Sequence, residues 1–422
     1  MNKLTPEALK HNQSLLTFYF LYTVLHGALR KWVFSGVSGV NDALFMVQLL
    51  LPYIVIGMSV REKTILSCKP LIPYALMLTA MALNPMNLTL FHGIFGFILH
   101  FGFWLLMLVY LNEREAFPIE NLVRIMLIVC FAETLLTFLQ FGLPTSHFLN
   151  RYENAGADEV AGFENDGGVR VIGTFSYIAG YGSLLFFIGL FVWALMVQKK
   201  QSIPVILGLA SFGLVSAFMN GSRSILLPYV ICVVFGFLNY GSFGQKMKSM
   251  AVMGGVFILI MVFNVASKIT FVEKAYNSFA LRVTSGQKNG EAQSRTVGTF
   301  VEVIDFTGKY PLAGIGLGAT YQGATNKWGS SRELREYGYC EEEPERIVVE
   351  GGFLLLFTRI FLFGLMAVKM RVPLIYSIPV LFYIFFFTLF VFNTYQTALV
   401  FLGFALLDKF YYLKQNQPQN LT

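Results

Sequence analysis

Three arginines and one glutamate hold most of the chemistry that this chain offers. Arg170 stands in Arg170-Val171-Ile172-Gly173-Thr174-Phe175, and Arg223 in the turn Gly221-Ser222-Arg223-Ser224. Arg295 lies upstream of Tyr310-Pro311-Leu312-Ala313-Gly314-Ile315-Gly316-Leu317-Gly318, and Glu350 falls in Val349-Glu350-Gly351-Gly352-Phe353-Leu354. A guanidinium group is a planar fork that donates two parallel charge-assisted hydrogen bonds and keeps its charge in a partly dry site. Several of them facing one way suit a phosphate or diphosphate. Gly314 and Gly316 would let backbone N–H groups add donors to the same anion, although no strand–turn–helix context makes the run a dinucleotide site. Glu350 is the acid of the set, at the outer end of the tenth apolar segment. No Asp-x-Asp pair or histidine-rich cluster asks for a metal, and no motif asks for a cofactor. The cysteines (Cys68, Cys130, Cys232, Cys340) share no ligand spacing and read as free thiols.

The elements that must position these groups are membrane helices. Hydrophobic residues make up 55% of the 422 positions and charged residues 13%, whereas a soluble domain is about 25% charged. The formal charge of +7 belongs to this membrane composition and implies no nucleic acid. A span needs about 20 mostly apolar residues. Such segments fall near 14–30, 42–60, 70–84, 89–111, 119–143, 175–197, 203–220, 223–239, 250–268, 347–367, 373–392 and 394–408, which predicts about twelve transmembrane helices. The polar N-terminus runs into a full-length span, so no removable signal peptide is expected. The expected fold is an all-α polytopic membrane protein in three blocks. Residues 1–268 hold the first nine helices and a short outer loop, 144–174. Residues 269–346 form a large, partly helical loop, with Ser294 to Phe306 at helical spacing, and 347–422 hold the last three helices and a tail.

Lysine and arginine in short loops set the orientation. With the N-terminus inside, the inner face receives Lys3 and Lys10, Arg61, Lys63 and Lys69, Arg114, Lys199 and Lys200, Lys246 and Lys248, Lys369 and Arg371, and Lys409 and Lys414. Both termini are then cytoplasmic and both longer loops face outward. The short outer loops keep Arg30, Lys31, Arg151, Arg170 and Arg223. Arg30 and Lys31 read as side chains that snorkel to headgroups, while Arg170 and Arg223 read as held there by an anion. Within the spans, His100, Glu133 and Arg359 are costly unless they make interior polar contacts.

These motifs together resemble those of the superfamily of O-antigen polymerases (Wzy) and O-antigen ligases, over roughly residues 160–370. Arg295 followed by Tyr310-Pro311-Leu312-Ala313-Gly314-Ile315-Gly316 is similar to that family's arginine, helix and Pro-Leu-x-Gly-x-Gly pattern. Arg170-x-x-Gly-Thr-Phe resembles its motif before the sixth span, and Ser222-Arg223 its Ser-Arg turn. The resemblance implies a lipid-dependent glycosyltransferase-type fold in the bacterial inner membrane with a periplasmic active site. It implies an inverting, metal-independent transfer from a glycan on undecaprenyl diphosphate to an acceptor glycan. Glu350 and Arg295 would be catalytic; Arg170, Arg223, Arg295, Gly314 and Gly316 would bind the diphosphate. A chain-length regulator is a further partner that the family would allow. Where the ligases carry a His-Asn-x-Tyr-Leu motif, this chain has Glu350-Gly351-Gly352-Phe353-Leu354, a departure that favours polymerase over ligase. An O-antigen ligase or protein oligosaccharyltransferase using the same donor stays open, as does a transporter or flippase. The last would carry inverted repeats and broken mid-membrane helices.

Overall fold

In the computed structural model, residues 5–60, 62–152, 169–240, 312–337 and 342–416 are described, with isolated positions between 244 and 284. The described chain is helical, and the apolar segments near-coincide with helices except 250–268, which lies outside the described residues. The helices are α1 (Pro6–Ala28), α2 (Ser38–Ser59), α3 (Glu62–Ser67), α4 (Leu71–Ala82), α5 (Leu90–Asn112), α6 (Val123–Gly142) and α7 (Ile178–Gln198). They continue as α8 (Ile203–Asn220), α9 (Arg223–Leu238), α10 (Gln322–Trp328), α11 (Arg332–Tyr337), α12 (Glu343–Lys369), α13 (Leu374–Phe387) and α14 (Thr394–Asn416).

Among the described residues, six stretches are long and apolar enough to cross a membrane: Ser38–Ser59, Leu90–Asn112, Arg114–Gly142, Ile178–Gln198, Ile203–Asn220 and Glu343–Lys369. Leu71–Ala82, Arg223–Leu238 and Leu374–Phe387 are apolar but shorter. This is the architecture of a polytopic membrane protein. α7 is its most enclosed element, buried from Gly180 to Val197. A helix hydrophobic all round needs protein or lipid on every side; α7 packs on α8 and α9.

The chain divides into two compact units. The first comprises Met1–Tyr19, Met46–Pro118 and Asn289–Phe401; the second comprises Phe20–Phe45, Ile119–Lys288 and Leu402–Thr422. They interleave stretches of chain rather than following the linear blocks 1–268, 269–346 and 347–422, because a bundle helix chooses neighbours by packing face, not by sequence order. In the first unit, aromatic rings of α5 pack against α12 and the segment after α13. Phe103 meets Phe390 edge-on at 4.5 Å, and Trp104 meets Phe363 at 5.0 Å. Lipid tails are as apolar as these rings, so close packing and interior hydrogen bonds, more than water exclusion, hold such helices together.

Two backbone devices set up the polar loops. α8 ends at Gly221, left-handed at φ 69°, and α9 begins two residues later, which makes the tight turn around Ser222. α12 is broken at Gly352 (φ 65°, ψ −167°), so its first turns aim differently from the rest.

Candidate functional site

In the first unit the glycine-rich segment 312–320 is folded against α5 and the first turns of α12. Its groups are pinned one by one. Ile315 N–H donates to the Val349 carbonyl (2.8 Å) and Gly316 N–H to the Glu350 carbonyl (3.0 Å). Asn84 donates to the Gly314 carbonyl (3.0 Å) and Asn87 to the Leu317 carbonyl (3.2 Å). The Glu350 carboxylate then accepts four bonds: Gly318 N–H (2.8 Å) and His100 Nε2–H (2.9 Å) on Oε2, and Thr320 N–H (2.9 Å) and hydroxyl (2.7 Å) on Oε1. Glu350 and His100 are both wholly buried.

This arrangement changes what the residues can do. Gly316 spends its N–H inside the protein, as do Ile315, Gly318 and Thr320, so these groups are not presented to an anion. What the segment uses its glycines for is close approach. Gly318 sits at φ +77°, and a Cβ there would run into the His92 backbone carbonyl on α5, where no larger residue fits. Glu350, fully enclosed with each oxygen taking two donors, anchors a loop; acting as a base would require it to surrender one of those bonds.

The network continues inward. Arg359 Nη2 donates to His100 Nδ1 at 2.5 Å and to the His100 carbonyl at 3.2 Å. With Nδ1 accepting and Nε2 donating, the imidazole is held as the neutral Nε2–H tautomer. The interior polar contacts expected for His100 and Arg359 thus form one chain, Arg359 to His100 to Glu350 to the glycine loop.

In the second unit Arg170 and the turn bearing Arg223 come to one place. Arg170 Nε donates to the Asn220 carbonyl at 3.1 Å, three positions before Arg223. Asn220 Nδ2 returns bonds to the carbonyls of Val171 (2.9 Å) and Ile178 (3.3 Å). Arg170 and Arg223 are half-buried, and Arg223 is the first residue of α9. Just beyond Arg170, the backbone turns through Gly173 at φ +55°. There Gln140 bridges the Gly173 N–H (2.8 Å) and carbonyl (2.9 Å), and Glu133 takes the Thr174 N–H (3.1 Å) and hydroxyl (2.7 Å).

Lys31 joins this loop. Its ammonium group is wholly buried and donates to the Gly173 carbonyl at 2.5 Å. The snorkelling expected of Arg30 and Lys31 is therefore not what the side chains do. Lys31 turns inward, and Arg30, 8% exposed, lies over the Phe45 ring at 5.3 Å. The cause is local: Leu29–Val33 is a π-helical turn closing α1, and π turns redirect side chains.

Arg295, with Tyr310 and Pro311 and the helix expected over Ser294 to Phe306, lies outside the described residues. Asn84, Asn87, Gln140 and Asn220 belong to no chemical motif in the sequence. Each is a polar residue at the end of an apolar segment, a weak signal for a loop anchor. No protein-family model, curated protein or solved structure matches this chain.

Proposed function

We propose that this chain is a polysaccharide polymerase of the bacterial inner membrane, with both termini cytoplasmic and about twelve spans. It would move a glycan from undecaprenyl diphosphate to the end of an acceptor glycan on the periplasmic side. In that reaction an acceptor hydroxyl oxygen bonds to the donor's anomeric carbon with inversion. The carbon–oxygen bond to the diphosphate breaks, its electron pair leaves with undecaprenyl diphosphate, and the hydroxyl proton passes to water. The observation that carries the reading is the bond from Arg170 to the Asn220 carbonyl, which brings Arg170 to the turn that bears Arg223. Two arginines on one stretch of backbone, Arg170 bonded to the turn and Arg223 within it, suit the charge that grows on a departing diphosphate. Arg295, from the family-like Arg…Pro-Leu-x-Gly-x-Gly pattern, is the third. In this reading Glu350 is a positioning residue for the glycine loop, and Gly314 and Gly316 serve that loop's close packing.

Donors aimed at developing charge contribute about 3–4 kcal/mol each in oxyanion-type sites. Arg295→Ala is therefore expected to leave the protein in the membrane and slow chain growth by about a hundredfold or more. The check is the lipid-linked glycan profile of a deletion strain complemented with each arginine variant. Single repeat units accumulating on the carrier support the polymerase. Long chains accumulating on the carrier would identify a ligase instead, and a normal profile would end the proposal. Uptake of a labelled glycan into vesicles, with no glycan lengthening, would point to a transporter.

A further inference from the structure

The two units repeat one device. In each, a buried glutamate accepts both the N–H and the hydroxyl of a threonine that follows a positive-φ glycine. Glu350 holds Thr320 beyond Gly318, and Glu133 holds Thr174 beyond Gly173. In each, amide side chains take the loop's carbonyls, Asn84 and Asn87 in one unit, Gln140 and Asn220 in the other. In each, a buried cation closes the loop through a carbonyl, Arg346 on Thr320 and Lys31 on Gly173. A membrane interior offers no water to finish an incomplete network, so a polar loop there is stabilised by partners built into the protein. The recurrence ties both loops down by the same set of contacts.

We infer that the Glu133–Thr174 clamp, with Lys31 and Gln140, positions Arg170. The inference rests on Arg170 binding the diphosphate, as proposed above. Between Arg170 and the clamp lie only Val171, Ile172 and Gly173, all buried, and Gln140 Oε1 accepts the N–H of both Ile172 (3.2 Å) and Gly173 (2.8 Å). The guanidinium therefore has a short, fixed tether. A cradle held this way prepays the ordering that a free loop would charge against binding.

The proton count in the clamp gives a sharp test. The Thr174 hydroxyl lies 2.7 Å from both Glu133 Oε1 and the Val24 carbonyl, and it has one hydrogen to share between them. A glutamine at 133 can accept the Thr174 N–H with its oxygen and donate to the Thr174 oxygen, which leaves the hydroxyl hydrogen for Val24. Glu133→Gln should then keep the clamp, whereas Glu133→Ala and Thr174→Val should loosen it. Tyr229→Phe removes a buried hydrogen bond elsewhere in the same unit, from Tyr229 to the Ala210 carbonyl at 2.5 Å, and serves as the control for lost stability alone.

The experiment measures binding of undecaprenyl diphosphate to the purified full chain in lipid nanodiscs, alongside thermal unfolding. Expected are a fall in affinity of roughly tenfold or more for Glu133→Ala and Thr174→Val, recovery in Glu133→Gln, and unchanged affinity in Tyr229→Phe. If Arg170→Ala weakens binding while Thr174→Val and Glu133→Ala behave like Tyr229→Phe, the positioning role is overturned. If Arg170→Ala itself binds as well as the parent, the diphosphate assignment falls first. If Glu133→Ala cannot be purified, Thr174→Val, which keeps the shape and replaces the hydroxyl with a methyl group, decides the matter.

Discussion

Replacing Glu350 by alanine should destabilise the protein more than it alters any reacting group. The substitution strips partners from Gly318 N–H, Thr320 N–H, the Thr320 hydroxyl and His100 Nε2–H together. Each orphaned buried donor costs about 1–3 kcal/mol, and removing one member of a buried charged set costs about 3–5 kcal/mol. The loss should appear as a fall of several degrees or more in the unfolding temperature and as new protease sensitivity around residues 312–320. Glu350→Gln should be milder. Its amide oxygen can still accept from Thr320, but its NH2 then faces the Gly318 and His100 donors. Full stability of Glu350→Ala together with lost transfer would restore Glu350 as a group that acts on substrate.

The contrast with the sequence-level expectation for Glu350 has a physical cause. Composition and hydropathy read each helix on its own, and there the sequence was informative. The apolar segments match α1, α2, α4 through α9 and α12 through α14, with 250–268 outside the described residues. Some boundaries lie further out, since α1 starts at Pro6 and α12 at Glu343, while α4 and α13 are shorter than their apolar segments. Hydropathy sees only the apolar middle, whereas backbone hydrogen bonding continues past it.

The candidate site was legible in residue type but less so in role. Arg170, Glu350 and the glycine run stand out because charge and conformational freedom are scarce in such a chain. What a charge does depends on its partner, and here the partner of Glu350 is His100, 250 positions away. No local pattern carries that pairing. Glu133 and Thr174 are 41 positions apart, and Lys31 and Gly173 are 142 apart. Asn84 and Asn87 look like ordinary loop residues until the glycine segment folds onto them. The burial of Lys31 was hidden for another reason: a π turn shifts the face on which a side chain emerges, and it leaves no composition signal.

Arg359 gives the second large expected effect. Its side chain is wholly buried in the middle of α12, between the Tyr74 and Trp104 rings at 5.7 Å each. Nη2 serves His100, while Nε and Nη1 have no hydrogen-bond partner among the described residues. The charge is balanced at a distance by Glu343 and Glu350, both of which act on it electrostatically. Glu343 itself is anchored by the N–H groups of Phe390 (3.0 Å) and Val391 (2.9 Å). Arg359→Leu should fit sterically and still cost about 3–5 kcal/mol, because it takes a cation away from two buried acids. Adding Glu343→Gln should return part of that loss, since the amide keeps the acceptor for Phe390 and Val391 and removes one unbalanced charge. A coupling of about 0.5–3 kcal/mol is the scale for groups in one network. The check is a double-mutant cycle on unfolding in nanodiscs. Strict additivity would mean that Glu343 does not balance Arg359, and that the Arg359 charge rests on the His100–Glu350 arm alone.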